Sequence, residues 1–191
     1  MIHKASRSWD YDNTSHNGWF GERFAVPNQS TGYHGILKQW WDFYKGENSS
    51  WLLMSEKNIV KPFFSTVYPS DTFSTLEYYA DEQDVDYRFS LCDRNLAYHL
   101  PKFDVVLCQA TLEHIYDPFT AMFNMAGLLN KNGVVLIHTH TPGFFYHPYP
   151  RDYLRYHPDW FIDLPEFIPN IELLELFDDN GHIFSAYRKV K

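Results

Sequence analysis

The chain has 191 residues, of which 45% are hydrophobic and 19% aromatic, and it carries a net charge of −8. This composition supports one packed α/β domain and argues against disorder, while the negative charge disfavours binding to a nucleic-acid backbone. No apolar run approaches the ~20 residues that span a bilayer, and the N-terminus lacks the apolar core of a signal peptide. The two cysteines make no disulfide framework. We therefore expect a soluble, cytoplasmic protein with neither nucleic acid nor a membrane as its partner.

The first part of the chain divides into an arm and the first elements of the domain. Residues 1–32 are punctuated by glycine and proline and are expected to form an irregular arm. The core then spans residues 33–191, so that residues 1–191 make one domain. Within it, Tyr33–Tyr44 has apolar residues at helical spacing, and Trp51–Met54 is the candidate first strand.

Two further strands are predicted before the middle of the chain. Ser65–Tyr68 has the composition of a second strand, and Asp71 follows it. One role open to Asp71 is that of N-cap of a short helix over Thr72–Tyr79. Tyr87–Leu91 is the predicted third strand, and a polar turn follows it.

The stretch Phe103–Pro118 (FDVVLCQATLEHIYDP) predicts the centre of the domain. Its unbroken apolar run is typical of a parallel strand that is buried on both faces. Polar residues follow over Gln109–His114, and Asp117 and Pro118 then predict the start of a helix. Because ligands of open α/β sheets bind outside the carboxyl ends of the strands, Gln109–His114 is the first candidate site.

The rest of the chain predicts a mostly parallel sheet with an antiparallel end. Helical spacing covers Phe119–Leu129, and Asn132-Gly133 suits a left-handed stop before a fifth strand. A short helix over Trp160–Ile168 precedes two strands, Ile171–Phe177 and Ile183–Val190. An Asn-Gly turn between β-rich runs predicts a hairpin. We expect seven strands in all, with helices on both faces.

Three of these segments carry a resemblance to a known family. The stretch FDVVLCQATLEHIYDP resembles the fourth motif of class I S-adenosylmethionine-dependent methyltransferases, and LLNKNGVVLI is similar to the strand that follows it in that family. The segment HPYPRDYLRY resembles one found in a branch of these enzymes that often occurs beside sugar and polysaccharide genes. The resemblance is strong over residues 103–161 and absent before residue 50. It implies a Rossmann-like three-layer sandwich with a C-terminal antiparallel hairpin.

The resemblance implies roles in binding S-adenosylmethionine. An acidic residue after the second strand holds the ribose in the family, and Asp71 is the candidate. A carboxylate after the third strand meets adenine, which points to Asp93 with its neighbour Arg94, and Gln109 would line the methionine end. The chain departs from the family after the first strand, where Ser55-Glu56-Lys57-Asn58 replaces the glycine-rich turn. No glycine occurs between residues 47 and 126.

Methyl transfer to a hydroxyl also needs a group that takes a proton, and histidine is the simplest. The candidates are His114 and His140, although structural roles for both stay open. His147, Asp152 and Arg155 belong to the segment that binds the acceptor in the resembling branch. Alternatively, an Asp152–Arg155 ion pair only shapes that loop.

The resemblance leaves a divalent metal as a less favoured alternative. Related enzymes hold such an ion around the same motif, which here would use Glu113, His114 and His140. Their pattern has another carboxylate where this chain has Ala110.

The predicted function is an S-adenosylmethionine-dependent O-methyltransferase that acts on a sugar or glycan hydroxyl. Its partner would be a small-molecule or glycan acceptor, and the oligomeric state stays open. The alternative is a catalytically inactive, methyltransferase-like binding or scaffold protein that has lost the cofactor together with the glycine turn. A third possibility is a fragment of a larger glycosyl- and methyl-transferring polypeptide.

Overall fold

The computed structural model describes residues 2–4, 40–44, 46–148, 150–179 and 181–191. They build one mixed sheet of seven strands in the order β1-β6-β7-β5-β4-β2-β3. The strands are β1 (Ile2–Lys4), β2 (Ser50–Met54), β3 (Thr72–Leu76), β4 (Phe103–Gln109), β5 (Leu129–His140), β6 (Ile171–Asp179) and β7 (His182–Lys189). The four strands β2 to β5 are parallel to one another. In the hairpin β6–β7, strand β7 pairs antiparallel with β5, and β1 pairs antiparallel with β6.

Four labelled helices and a helical segment at residues 40–44 accompany the sheet. The labelled helices are α1 (Lys61–Val67), α2 (Leu96–His99), α3 (Pro118–Leu128) and α4 (Pro158–Phe167). Short 3-10 turns lie at Asn58–Val60, Glu82–Asp84 and Leu112–His114. Within the described part of the chain, none of these helices has the length and apolar character that crossing a bilayer requires.

The sheet has a separate hydrophobic core on each face. Alternate residues of β4 divide between them: Val106 and Cys108 pack with α3 and α4, while Val105 and Leu107 pack with Trp41 and with Phe64 of α1. Trp51 is fully buried on this second face and makes an edge-to-face contact with Trp41 at 5.4 Å between ring centroids. This arrangement is the predicted three-layer sandwich.

Several predicted elements are confirmed. Helix α3 begins at Pro118, and the Asp117 carboxylate caps it by accepting hydrogen bonds from the backbone N–H and the hydroxyl of Thr120. The terminal hairpin forms as predicted, with Gly181 in the left-handed region at φ 87°. Asn132 is also left-handed at φ 66°, although α3 has already ended at Leu128.

The predicted second strand was wrong. Ser65–Tyr68 lies mostly in helix α1, which starts at Lys61 and has Pro62 in its first turn. Thr66 closes a turn of this helix by donating its hydroxyl proton to the carbonyl of Pro62. The second parallel strand is instead β3 (Thr72–Leu76), one element later in the sequence. The alternative of a short helix over Thr72–Tyr79 was wrong as well.

The predicted third strand is reduced to a single bridge. In the described chain only Tyr87 of this segment pairs with the sheet, through a bridge to Leu76. The side chain of Asp86 accepts a hydrogen bond from the backbone N–H of Thr75 in β3 at 2.8 Å. In a continuous strand, a backbone carbonyl would accept this hydrogen bond instead. Six strands therefore arise from residues 50–189, where seven were predicted.

The seventh strand of the sheet is β1, which lies in the segment predicted as an irregular arm. The rest of that arm, and the predicted helix over Tyr33–Tyr44 except residues 40–44, fall outside the described residues.

Candidate active site

A cavity of about 750 Å³ opens at the carboxyl ends of β2, β3 and β4. Its volume lies within the roughly 300–1,000 Å³ that is typical of small-molecule and cofactor sites. Aromatic and polar side chains from five segments line it, among them Ser55, Lys57, Glu77, Cys92, Gln109, His114, Tyr116, Arg151 and Tyr153. The cavity occupies the position predicted from the sequence.

The turn after β2 forms one wall without a glycine. Ser55 adopts a left-handed conformation at φ 55°, and its backbone N–H donates to the carbonyl of Leu76 at 2.7 Å. A non-glycine residue is strained in this region because its Cβ approaches the backbone. Lys57 follows and lies 3.4 Å from the exposed carboxylate of Asp84. The turn thus keeps the backbone conformation that favours glycine, although it carries a side chain.

The acidic residue at the end of β3 is Glu77. It lines the cavity, and its carboxylate accepts the backbone N–H of Tyr79 at 2.8 Å. Asp71 instead precedes β3, so it lies at the amino ends of the parallel strands, away from the cavity at their carboxyl ends. There its two carboxylate oxygens accept the backbone N–H of Ser49 and the indole N–H of Trp51, each at 3.0 Å. The prediction that Asp71 contacts the ribose is therefore corrected, because this carboxylate is part of the structural core.

The turn after the Tyr87 bridge forms the far wall, where Cys92 lines the cavity. The adjacent Asp93 accepts the backbone N–H of Asn95 at 2.9 Å, and the next residue, Arg94, is exposed. Asn124 of α3 holds this turn by donating to the carbonyls of Leu91 and Asp93, at 2.8 and 2.7 Å. Asp93 and Arg94 thus lie beside the cavity wall rather than on it.

Gln109 and His114 both line the cavity, as their positions after β4 predicted. Ala110 between them is left-handed at φ 44°, and its N–H donates to the carbonyl of His138 at 2.8 Å. This bend turns the chain away from the sheet. It also brings the Leu112–His114 turn under the loop that follows β5.

Glu113 is the centre of the site. Its side chain is fully buried, and Oε2 accepts the hydroxyl of Thr139 at 2.6 Å. Oε1 lies 2.7 Å from Nδ1 of His140, 3.6 Å from Nε2 of His147 and 3.8 Å from Nε2 of His114. The structure therefore brings together three of the predicted histidines, around a carboxylate that was not among the predicted catalytic residues.

Contacts around Glu113 determine its ionisation. Burial raises the pKa of this carboxyl, but the neighbouring His140 and the Thr139 hydroxyl outweigh burial and lower the pKa below its ordinary value. The carboxylate is consequently charged near neutral pH. It provides a fixed negative charge beside the cavity.

A second group of histidines lies behind the first. Nε2 of His138 is 2.9 Å from Nδ1 of His182, and the ring of His140 stacks on Phe144 with centroids 3.7 Å apart. Burial, with a smaller effect of His140, lowers the pKa of His182 to about 4. His182 is therefore uncharged near neutral pH, and His140 lies between it and Glu113.

The segment with Asp152 and Arg155 covers the cluster. Backbone N–H groups of Tyr153 and Leu154 donate to the carbonyl of Glu113, at 2.8 and 3.2 Å. Arg155 forms a two-pronged ion pair with Asp152, whose side chain is almost completely buried. This pair, more than burial, holds the pKa of Asp152 far below its usual range. Neither residue lines the cavity, so the geometry agrees with the alternative in which the pair shapes the loop.

Comparison with known proteins assigns the family. A family model described as a methyltransferase domain matches residues 24–186, which is most of the chain. The chain belongs to the methyltransferase-domain family. No functionally curated protein matches the sequence.

Solved structures share the fold of this methyltransferase domain at low sequence identity. The (4+2)-cyclase SpnF has a TM-score of 0.62 at 10% identity, and 86% of this chain and 83% of that chain are covered. The N-methyltransferase NodS from Bradyrhizobium japonicum WM9, in complex with S-adenosyl-L-homocysteine, has a TM-score of 0.60 at 11% identity, with 95% and 97% covered. The N-terminal domain of EvdMO1, in the presence of S-adenosylhomocysteine and D-fucose, has a TM-score of 0.52 at 16% identity, with 82% and 81% covered.

Some residues of the methyltransferase-domain cavity were missed by the sequence analysis. Glu77 was overlooked because the second strand was placed one element too early. Tyr78, Tyr79 and Tyr116 are exposed at the cavity, and aromatic residues in turns gave no periodic signal. Arg151, rather than Arg155, is the arginine that lines the cavity.

Proposed function

We propose that this chain is an S-adenosylmethionine-dependent O-methyltransferase that acts on a sugar or glycan hydroxyl. One observation carries the proposal: His114, which lines the cavity at the strand ends, also belongs to the buried cluster around Glu113. In this proposal the cavity holds the cofactor, and the group that takes a proton lies next to it. O-methylation needs both.

The cavity residues fit the cofactor. Glu77 replaces Asp71 as the acceptor for the ribose hydroxyls, because it stands at the carboxyl end of the second parallel strand. Asp93, in the turn beside Cys92, is proposed to accept the adenine amino group. Gln109 and Lys57 would contact the methionine end. When bound, the cofactor supplies an electrophilic methyl group.

The cluster around Glu113 is proposed to take the proton of the acceptor. His114 is its cavity-lining member, and the carbonyl of Arg151 fixes its ring through Nδ1. The negative charge of Glu113 stabilises a protonated imidazole nearby. His140 is only 5% exposed and does not line the cavity. Its proposed role is therefore to position Glu113 rather than to contact the acceptor.

A sugar acceptor suits the rim of the cavity. Tyr78, Tyr79, Tyr116 and Tyr153 are exposed there and combine an apolar face with a hydroxyl. Such side chains can pack against the C–H face of a sugar ring and also donate hydrogen bonds. The D-fucose named with the EvdMO1 domain agrees with this acceptor class.

The turn at Ser55 favours the inactive alternative. A side chain stands where the resembling family has glycine, and it narrows the approach of a ligand to the backbone. A cyclase also shares this fold, so the fold alone does not imply methyl transfer. Measurement of cofactor binding decides between the two functions.

The decisive experiment is calorimetry with S-adenosylhomocysteine on the wild type, Glu77→Gln and the control Glu82→Gln. Glu82 is an exposed glutamate outside the cavity. We expect micromolar binding for the wild type and the control, and a loss of at least about tenfold for Glu77→Gln, since one charge-assisted hydrogen bond is worth roughly 1.5–3 kcal/mol. Absence of heat at millimolar ligand would leave the scaffold function instead.

The acceptor is identified in a second experiment. Nucleotide sugars and glycans are incubated with the protein and S-adenosylmethionine, and products are detected by mass as the gain of one methylene. We expect His114→Ala to abolish the gain and His157→Ala, a change at an exposed histidine, to leave it intact. Equal product from both variants would exclude His114 from catalysis.

A further inference from the structure

Three potential ligand atoms converge beside the cavity: Oε1 of Glu113, Nε2 of His114 and Nε2 of His147. The carboxylate oxygen lies 3.8 Å from the first imidazole nitrogen and 3.6 Å from the second. One ligand atom from each of these three residues can be chosen so that all three atoms lie within 4.8 Å of one another. Two atoms bound to one tetrahedral ion, each at about 2.1 Å, are separated by about 3.4 Å. The spacing therefore leaves room for a metal ion between them.

The proton of His114 is placed by its backbone partner. Nδ1 of this ring contacts the carbonyl oxygen of Arg151, which can only accept a hydrogen bond. Nδ1 must therefore be the protonated nitrogen of the neutral ring. As a result, Nε2 presents its lone pair toward Glu113.

His147 is oriented in the same way. Its Nδ1 lies 3.3 Å from Oδ2 of Asp152 and 3.4 Å from the carbonyl of Phe145, and both of these atoms are acceptors. Nη2 of Arg155 is also 3.4 Å away, but its two protons have closer acceptors, Oδ2 of Asp152 at 2.6 Å and the carbonyl of Phe145 at 2.8 Å. The neutral ring of His147 thus carries its proton on Nδ1 and directs the lone pair of Nε2 toward Glu113.

The lone pairs of two neutral imidazoles repel an anionic oxygen that they face, unless a proton or a metal cation lies between them. Oε1 of Glu113 is buried and accepts no regular hydrogen bond, although Nδ1 of His140 lies 2.7 Å from it. When histidine binds a metal through one ring nitrogen, its other ring nitrogen usually donates a hydrogen bond to a carbonyl or a carboxylate. The convergence, the orphaned oxygen and these outer contacts point to the same occupant.

We propose that Glu113, His114 and His147 bind one divalent transition-metal ion such as Zn²⁺. Two imidazoles and one carboxylate suit zinc and neighbouring first-row ions, whereas Mg²⁺ and Ca²⁺ prefer oxygen ligands. His140 is a neighbour of the site and not a ligand, because its Nδ1 is too close to Oε1 of Glu113 for an ion to lie between them.

This site deepens the proposed function and its chemical role rests on it. Three protein ligands leave a coordination position open, and His114 places the site at the cavity wall. The ion would bind the acceptor oxygen there and lower the pKa of its hydroxyl, whose proton leaves to water. In the metal-bound protein, His114 holds the ion rather than taking the proton itself.

The test is a titration of the chelator-treated full chain with Co²⁺, followed by its visible absorption and by displacement with Zn²⁺. We expect one equivalent of ion per chain. His114→Ala and His147→Ala should weaken binding by more than roughly 100-fold, while the control His157→Gln binds like the wild type. Circular dichroism verifies that each variant is folded.

Two results would overturn the metal site. One is the absence of stoichiometric binding in the folded wild type. The other is full binding by both variants, which would place the ion at His138, His140 and His182, whose ring nitrogens also lie within 4.8 Å of one another. Calorimetry with S-adenosylhomocysteine on the same samples separates the proposals, because a chain that binds this ligand but no ion keeps the methyltransferase function and loses only the metal.

Discussion

Replacement of Asp71 by asparagine tests where this carboxylate acts. Its two oxygens bind two different buried donors, the N–H of Ser49 and the indole N–H of Trp51. An asparagine offers only one carbonyl oxygen, so one charge-assisted hydrogen bond, worth about 1.5–3 kcal/mol, is lost and one donor faces an amide NH₂ group. We expect the free energy of unfolding to fall by about 3 kcal/mol.

Thermal and urea denaturation measure this loss. For a chain of this size, each kcal/mol lowers the melting temperature by roughly 2–4 °C, so Asp71→Asn should melt about 6–12 °C below the wild type. Its affinity for S-adenosylhomocysteine, measured well below the melting temperature, should not change. Glu77→Gln is the matched opposite, with lower affinity and nearly unchanged stability. A stable Asp71→Asn protein that no longer binds the ligand would refute this assignment and restore the ribose role to Asp71.

Four further changes test the fold and the site. Asp117→Ala removes the N-cap of α3 and should cost about 1 kcal/mol in urea denaturation; an unchanged midpoint would contradict the cap. Gly127→Ala places a Cβ 2.8 Å from the Cβ of Ala97 and should lower the free energy of unfolding. Adding Ala97→Gly should restore part of this free energy, which a double-mutant cycle measures. Ser55→Gly relieves the left-handed strain and should raise the free energy of unfolding by about 0.5–1 kcal/mol without weakening ligand binding; a loss of stability would argue against that strain. Burial raises the pKa of Asp104, but hydrogen bonds from Ser50 and Asn130 outweigh burial and lower the pKa below its usual 3.8. The stability that this carboxylate contributes is therefore complete above that pH and is lost as the pH falls through the pKa of the folded state. Asp104→Asn should make the free energy of unfolding depend less on pH between about pH 5 and 2.

Elements with strong local signals were predictable from the sequence. The apolar run of β4, the Asp117–Pro118 start of α3 and the terminal hairpin each follow from a pattern that the local chain satisfies by itself. The position of the cavity followed as well, since it depends only on where parallel strands end.

Elements whose structure depends on distant partners were not predictable. Ser65–Tyr68 has β-forming residues but lies largely in a helix that buries Phe64 against Trp41 and Trp51. Because this assignment was wrong, the candidate for the ribose was Asp71 instead of Glu77, the acidic residue that follows the actual second parallel strand. The convergence of His114, His140 and His147 on Glu113 joins residues from three segments, and no sequence spacing records it.

The pairing of β1 with β6 has a consequence for the behaviour of the protein in solution. Ile2–Lys4 pair with a row of backbone amide and carbonyl groups at Glu175–Phe177, on the outer side of strand β6 in the C-terminal hairpin. Without this short segment, that row of amide and carbonyl groups would face water and could recruit a strand from another molecule. Displacement of these three residues would thus favour self-association, even though the cavity at the strand ends is left intact.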